Sequence, residues 1–214
     1  MKLSEVPITV RAMAVVMLIA GCGSDSPTQP AATRPDCANP VFGDPAVSPY
    51  CLPFATSALY TVTQSYCSSP PRSHQGRFAY DFDMPMGTEV LAARAGEVVE
   101  LREHWSDQDT QGGHENVVIL RHSDATLSLY IHMRNQGVLV EMGDYVPQGG
   151  LLGWSGSSGT FSPHIHFQVC LRGGQCSTGS NEITLPVNFR NAAGPVDSLG
   201  GLIDGETYQA LPCG

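Results

Sequence analysis

The 214-residue chain contains a single lysine, Lys2. Beyond it no lysine base, Schiff base or phosphate-loop lysine can operate, and those chemistries drop out. Basic residues of both kinds are scarce: 11 Lys and Arg face 20 Asp and Glu, a formal net charge of −9. A domain of that sign repels nucleic acid, so no nucleic-acid partner is expected. Helical stripes are missing too. From Leu59 onward the apolar runs are short and broken by Gly, Pro, Asn and Asp, and no window repeats apolar residues at helical spacing over a useful length. The stretch Gly153-Trp154-Ser155-Gly156-Ser157-Ser158-Gly159-Thr160 comes close to a serine-hydrolase elbow. Gly-x-Ser-x-Gly is completed at none of its serines, which disfavours a serine nucleophile. No internal repeat is present.

Lys2 and Arg11 precede an apolar run, Ala12 to Ala20, which ends in Leu18-Ile19-Ala20-Gly21-Cys22. A charged start, an apolar stretch too short to span a bilayer and small residues before a break read as an export signal over residues 1–21. The Ile-Ala-Gly-Cys ending resembles a bacterial lipobox. That resemblance implies a lipidated Cys22 at the start of the mature chain, membrane attachment through it, and an exported lipoprotein of the cell envelope. In a Gram-negative cell, Gly23 in place of the aspartate linked to inner-membrane retention implies outer-membrane attachment facing the periplasm. Residues 22–50 are rich in Ser, Thr, Pro, Ala and Asp. They bury too little apolar surface to offset their ordering entropy and read as a flexible tether. The stretch 51–214 is the size of one domain.

Export also sets the redox state. Of 7 cysteines, setting Cys22 aside leaves Cys37, Cys51, Cys67, Cys170, Cys176 and Cys213, an even set that suits disulfides in an oxidising compartment. Cys170 and Cys176 flank Leu171-Arg172-Gly173-Gly174-Gln175, a hairpin-like turn that brings them across from one another. The pairing of the other four stays open.

Strand-like runs fill the domain: Glu89 to Ala92, Glu97 to Leu101, Asn116 to Leu120, Thr126 to His132, Gly150 to Gly153 and His164 to Cys170. Short strands, frequent turn signals and 23 glycines point to a mostly β fold with few or no long helices. Two strands alternate informatively. In one, Leu127, Leu129 and Ile131 share a face and are expected in the core, with Ser128, Tyr130 and His132 opposite. In the other, Ile165, Phe167 and Val169 point to the core and His164, His166 and Gln168 away from it. Histidine then marks the face where chemistry sits.

The pair His164-Ile165-His166 is the sharpest signal among 7 histidines. Side chains two apart on a strand stand about 6.5–7 Å apart on one face, close enough to share a metal, or for one to bind while the other moves protons. Upstream, Tyr80-Asp81-Phe82-Asp83 offers carboxylates, with His74 just before. Two histidines and one carboxylate supply a hydrolytic zinc site that keeps a position for water, and zinc lowers the pKa of that water to about 7.

Over Ser73 to Val169 the sequence resembles the lysostaphin-type (LytM-like) zinc endopeptidases, which hydrolyse peptide bridges in bacterial cell walls. Asp81 is followed at the family spacing by Pro85 and Gly87-Thr88; Tyr130-Ile131-His132 matches the second motif and Ser162-Pro163-His164-Ile165-His166-Phe167 the third. Gly143-Asp144-Tyr145-Val146, leading to Gly149 and Gly153, fits the connecting segment. The resemblance implies an antiparallel β-sheet peptidase domain with a groove, Zn2+ held by His74, Asp81 and His166, and His132 and His164 acting on protons and the developing oxyanion. Its substrate would be the peptide part of peptidoglycan, in stem peptides or cross-bridges. One departure stands out: His74 lies seven residues before Asp81 rather than four, which implies a longer loop. Relatives that lack ligands and activate other wall hydrolases supply the alternative, a catalytically inactive wall-binding or hydrolase-activating module. A third reading keeps the enzyme and makes its substrate a protein.

Blander roles are expected elsewhere. His104, His114 and His122 read as solvent-facing or turn residues, Asp83 as a solvated carboxylate, Trp154 as a half-buried loop aromatic, and Tyr130 equally as a cleft or a packed residue.

Overall fold

The computed structural model describes residues 37–68, 74, 77–171, 176 and 183–214. The expected signal segment 1–21, Cys22 and the tether as far as Asp36 lie outside the described residues, as do Arg172 to Gln175 of the Cys170–Cys176 turn. Helix among the described residues is confined to one 3-10 turn, Pro45–Val47, with Asp44 accepting the Ala46 N–H at 2.9 Å.

The remaining order is strand. In chain order these are β1 (Leu59–Gln64), β2 (Ala79–Phe82), β3 (Glu89–Leu91), β4 (Gly96–Arg102), β5 (Val117–Arg121), β6 (Leu127–Ile131), β7 (Met133–Val138), β8 (Tyr145–Val146), β9 (Leu151–Ser155), β10 (Ile165–Cys170), β11 (Ala192–Ala193) and β12 (Thr207–Ala210). Nine form one sheet in the order β11-β12-β1-β2-β10-β6-β5-β4-β8, and β3-β9-β7 form a second. Every pairing is antiparallel. The mostly β, antiparallel fold expected from the sequence is the fold observed.

Side chains of both sheets meet in one main core, which takes Tyr80 and Phe82 from β2, Val118 and Leu120 from β5, and Ile165, Phe167 and Val169 from β10, against Val90, Met133 and Leu152 from the smaller sheet. The alternation read for β10 therefore holds. That read for β6 does not. Tyr130 belongs to the main core, while Leu129 and Ile131 lie on the opposite face in a small second cluster with Val117, Ile119, Cys170 and Cys176. Both faces of this central strand are covered, so its aromatic ring fills the larger core and its aliphatics the smaller. The register shows the same arrangement: Tyr130 pairs with Phe167 and Val118, and Ile131 with His166 and Val117.

Three disulfides join Cys37 to Cys67, Cys51 to Cys213 and Cys170 to Cys176. The described end of the expected tether lies against the domain. Cys37 is tied to Cys67, the Ser48 hydroxyl donates to Asn188 O at 2.6 Å, and Tyr50 is buried in the main core.

Candidate metal centre

Strand register brings the first two residues together. His166 on β10 pairs with Asp81 on β2, and directly opposed residues project from the same face. His166 Nδ1 lies 2.9 Å from Asp81 Oδ1. His74 arrives from the segment ahead of β2, placing Nε2 3.1 Å from both Asp81 Oδ1 and His166 Nδ1. The altered spacing before Asp81 thus does not keep His74 away. All three side chains are buried, and their ligand atoms lie within 4.8 Å of one another.

The outer side of each ring fixes where its proton sits. His74 Nδ1 is 3.0 Å from Ser65 O, which only accepts, so Nδ1 donates and Nε2 keeps its lone pair. His166 Nε2 donates to Gln168 Oε1 at 2.9 Å, while the Gln168 amide nitrogen faces Cys170 Sγ. In the neutral ring this leaves His166 Nδ1 as the nitrogen turned toward Asp81. Burial opposes ionisation of Asp81, yet polar contact with His166 and His74 holds its carboxyl well below the usual range, so it is anionic. Two ring nitrogens and the Asp81 carboxylate oxygen thus converge on one point. Such a trio repels itself unless a cation lies between its members, and rings held by outer acceptors are how histidine ligands are oriented. Two imidazoles and a carboxylate are a donor set that suits zinc and leave a coordination position for water. The residues fit the metal.

His132 and His164 stand beside this trio. His132 follows β6 with φ of 69°; this left-handed turn breaks the strand alternation and carries the ring round to the face of Ile131 and His166. Its Nδ1 donates to Ser158 O at 2.7 Å, and His164 Nδ1 donates to Ser162 O at 2.9 Å. The two ring centroids are 4.5 Å apart. His164 Nε2 lies 3.7 Å from Asp81 Oδ2. Burial, then the His164 ring, push the His132 pKa down to about 3, against the pull of the Ser158 carbonyl. At neutral pH it is in its base form.

All five residues line one cavity of about 400 Å³. An adjoining cavity of about 380 Å³ shares Gln64, Asp81, Thr160 and His164 and runs on past Phe161 and Asp83, so the site is an elongated groove. A larger cavity of about 560 Å³ opens between Arg94, Arg121 and Arg190 and contains none of the five.

Residues 73–178 match the family model described as Peptidase family M23. The chain belongs to peptidase family M23. Lysostaphin of Staphylococcus simulans is 34% identical over 118 residues, 55% of this chain and 22% of lysostaphin. Peptidoglycan DD-endopeptidase ShyC of Vibrio cholerae is 33% identical over 103 residues, 48% of this chain and 21% of ShyC. Lipoprotein NlpD of Yersinia enterocolitica is 37% identical over 87 residues, 41% of this chain and 81% of NlpD. This chain spans about a fifth of the first two relatives and most of the third.

The other residues of the M23 domain that the sequence singled out stay outside the centre. Tyr130 is packed: its hydroxyl accepts the Ala93 N–H at 2.8 Å, and burial pushes the phenol up. His104 is exposed and His114 stacks on Trp105 at 3.6 Å. His122 takes the turn role, closing the β5–β6 hairpin, but is buried under Tyr50 rather than facing solvent, donating from Nδ1 to Ala95 O at 2.9 Å. Asp83 is exposed at the groove rim and Trp154 half-buried on β9. Sequence reading missed Ser65, Ser158 and Ser162, which act through backbone carbonyls that any residue supplies. Gln168 carried a signal, being two residues beyond His166 on the same face.

Proposed function

We propose that this chain is a zinc metalloendopeptidase that hydrolyses peptide bonds in peptidoglycan stem peptides or cross-bridges. His74, Asp81 and His166 hold the metal, and His132 and His164 act on protons and the oxyanion. One observation carries the reading: three potential ligand atoms converge beside two imidazoles that are anchored through Nδ1 and line the same groove. Bound zinc supplies Lewis acidity to the scissile carbonyl and an acidified water. His132, neutral and anchored through Nδ1, accepts the proton at Nε2 and returns it to the leaving amine. His164, anchored through Nδ1, serves the developing oxyanion by donating a hydrogen bond from Nε2. Ser158 and Ser162 keep the two rings in these orientations through their carbonyls. Membership of a peptidase family and likeness to a protein named a peptidoglycan DD-endopeptidase support the assignment.

The location follows the same pattern. Residues 1–21 are a removed signal and 22–50 a tether carrying lipidated Cys22, with Cys37 of that stretch bonded to Cys67; residues 51–214 form the peptidase. Attachment is to the outer membrane, facing the periplasm, if the cell is Gram-negative. Likeness to a named lipoprotein supports this, and Cys22→Ser is expected to release the chain from the membrane fraction.

Zinc content and peptide release from purified peptidoglycan test the activity. The parent is expected to hold about one zinc and cleave. His166→Ala should lose both properties, and His132→Ala should keep zinc while losing about 10²–10⁴-fold in rate. A zinc-bound parent that cleaves nothing favours the hydrolase-activating module. A parent that takes up no zinc when supplied with it sinks the assignment.

A further inference from the structure

Glu115 lines the metal-site cavity, two residues ahead of β5, and none of the chemistry above uses it. It is 7% exposed. Its Oε1 accepts the Gly113 N–H at 2.8 Å, while Oε2 is buried with no hydrogen-bond partner. A buried carboxylate oxygen normally has a donor, because its lost hydration is otherwise unrepaid. The side chain is also held in place. It lies over Gly159, where a Cβ would come 2.8 Å from Glu115 Cγ. The Gly113 N–H thus holds Oε1, and Gly159 closes one side of the Glu115 stem.

Position and charge say what would pair with Oε2. Asp81, His166, Ile131 and Val117 form one row across β2, β10, β6 and β5. Glu115 stands just beyond the β5 end of that row. From β10 to β5 is two strand spacings, about 10 Å, or about three residues of extended peptide. Glu115 and Asp81 are the two carboxylates among the described residues lining this cavity, and Arg77 lines it from the β2 side. A peptide in the groove thus meets negative charge at the β5 end. A protonated amine offers a full positive charge and several donors, and charge-assisted bonds of this kind are stronger than those from neutral amides.

We propose that Glu115 is a recognition residue for a free, protonated amino group on the peptide substrate, carried within about three residues of the scissile bond. This rests on the peptidase reading for the word substrate, but not for the binding. The amine can belong to a peptide amino terminus or to a diamino-acid side chain.

Peptidoglycan solubilised with a muramidase, before and after N-acetylation of its free amines, provides the probe. For the parent with zinc, acetylation is expected to lower kcat/KM and binding affinity by about tenfold or more. In Glu115→Gln, which keeps an acceptor for Gly113, the two forms should be handled within about twofold of each other. Mass spectrometry of the fragments shows whether the required amine is terminal or on a side chain. A parent that handles both forms alike overturns the inference, as does a folded Glu115→Gln variant that keeps the parent's ratio. If that variant does not fold, the parent's ratio decides alone. Selective binding without cleavage leaves this inference standing and sinks the peptidase reading; cleavage without selectivity does the reverse, and no binding of either form overturns both.

Discussion

His132 owes its neutral ring to what surrounds it. In an unfolded chain the imidazole titrates near 6.5, whereas burial and the adjacent His164 ring bring it down to about 3 in the fold. Between those two values the unfolded chain binds the proton and the folded chain does not, so stability falls as pH falls. The contribution is complete above about 6.5 and is lost progressively toward 3. Linkage sets the slope at about 1.4 kcal/mol per pH unit, or about 2 kcal/mol by pH 5. Chemical denaturation of the metal-free chain at pH 7 and pH 5 checks this against His132→Gln, which should lose visibly less than the parent. Burial also pushes His122 down, adding a component that both proteins share. Equal losses would show that His132 is not buried in its base form.

Elements place residues by register, and register was only partly legible in the chain. On β10 the aliphatic and polar residues separate cleanly, because one face meets the main core and the other the metal groove. On β6 both faces are covered, so period two could not say which held the chemistry, and the apolar face turned out to be the site face. His132 reaches the groove through a left-handed backbone, which no periodicity encodes. β2 is buried at all four positions and offered no alternation; its role was legible only through Asp81 and the motif that follows. His74 was legible as the one histidine ahead of Asp81, whereas Glu115 matters for a missing partner, which a sequence does not display. The Ser158–Gly159 turn joins these details. Its Gly159 has φ of 73° and packs on Glu115, next to the carbonyl that holds His132. Gly159→Ala is expected to cost at least about 1–2 kcal/mol from the left-handed backbone alone, read as a lower unfolding midpoint. An unchanged midpoint would mean that the turn relaxes freely and does not hold either side chain.

The whole molecule is closed by covalent links that the sheets alone do not provide. Cys51 precedes β1 and Cys213 follows β12, so their bond joins the two flanks of the fold across a sequence separation of 162. Cys37–Cys67 spans 30 residues and Cys170–Cys176 spans 6. If each bond acts mainly by restricting the unfolded chain, stabilisation rises with the logarithm of loop length, to about 5, 4 and 2 kcal/mol respectively. Replacing each pair by serine should therefore destabilise in that order under denaturant. A domain that depends on the longest link needs an oxidising compartment to reach full stability. Cys170–Cys176 supplies the informative exception. Its two sulfurs belong to the small cluster behind Leu129 and Ile131, and Gln168, which orients His166, faces Cys170. Its removal should cost little stability by loop length and yet weaken zinc retention, whereas removing Cys51–Cys213 should cost the most stability and leave zinc retention in the folded chain intact. Zinc titration beside each unfolding curve separates the two effects. If zinc retention instead tracked stability across all three pairs, the disulfides would act on the metal centre through global folding alone.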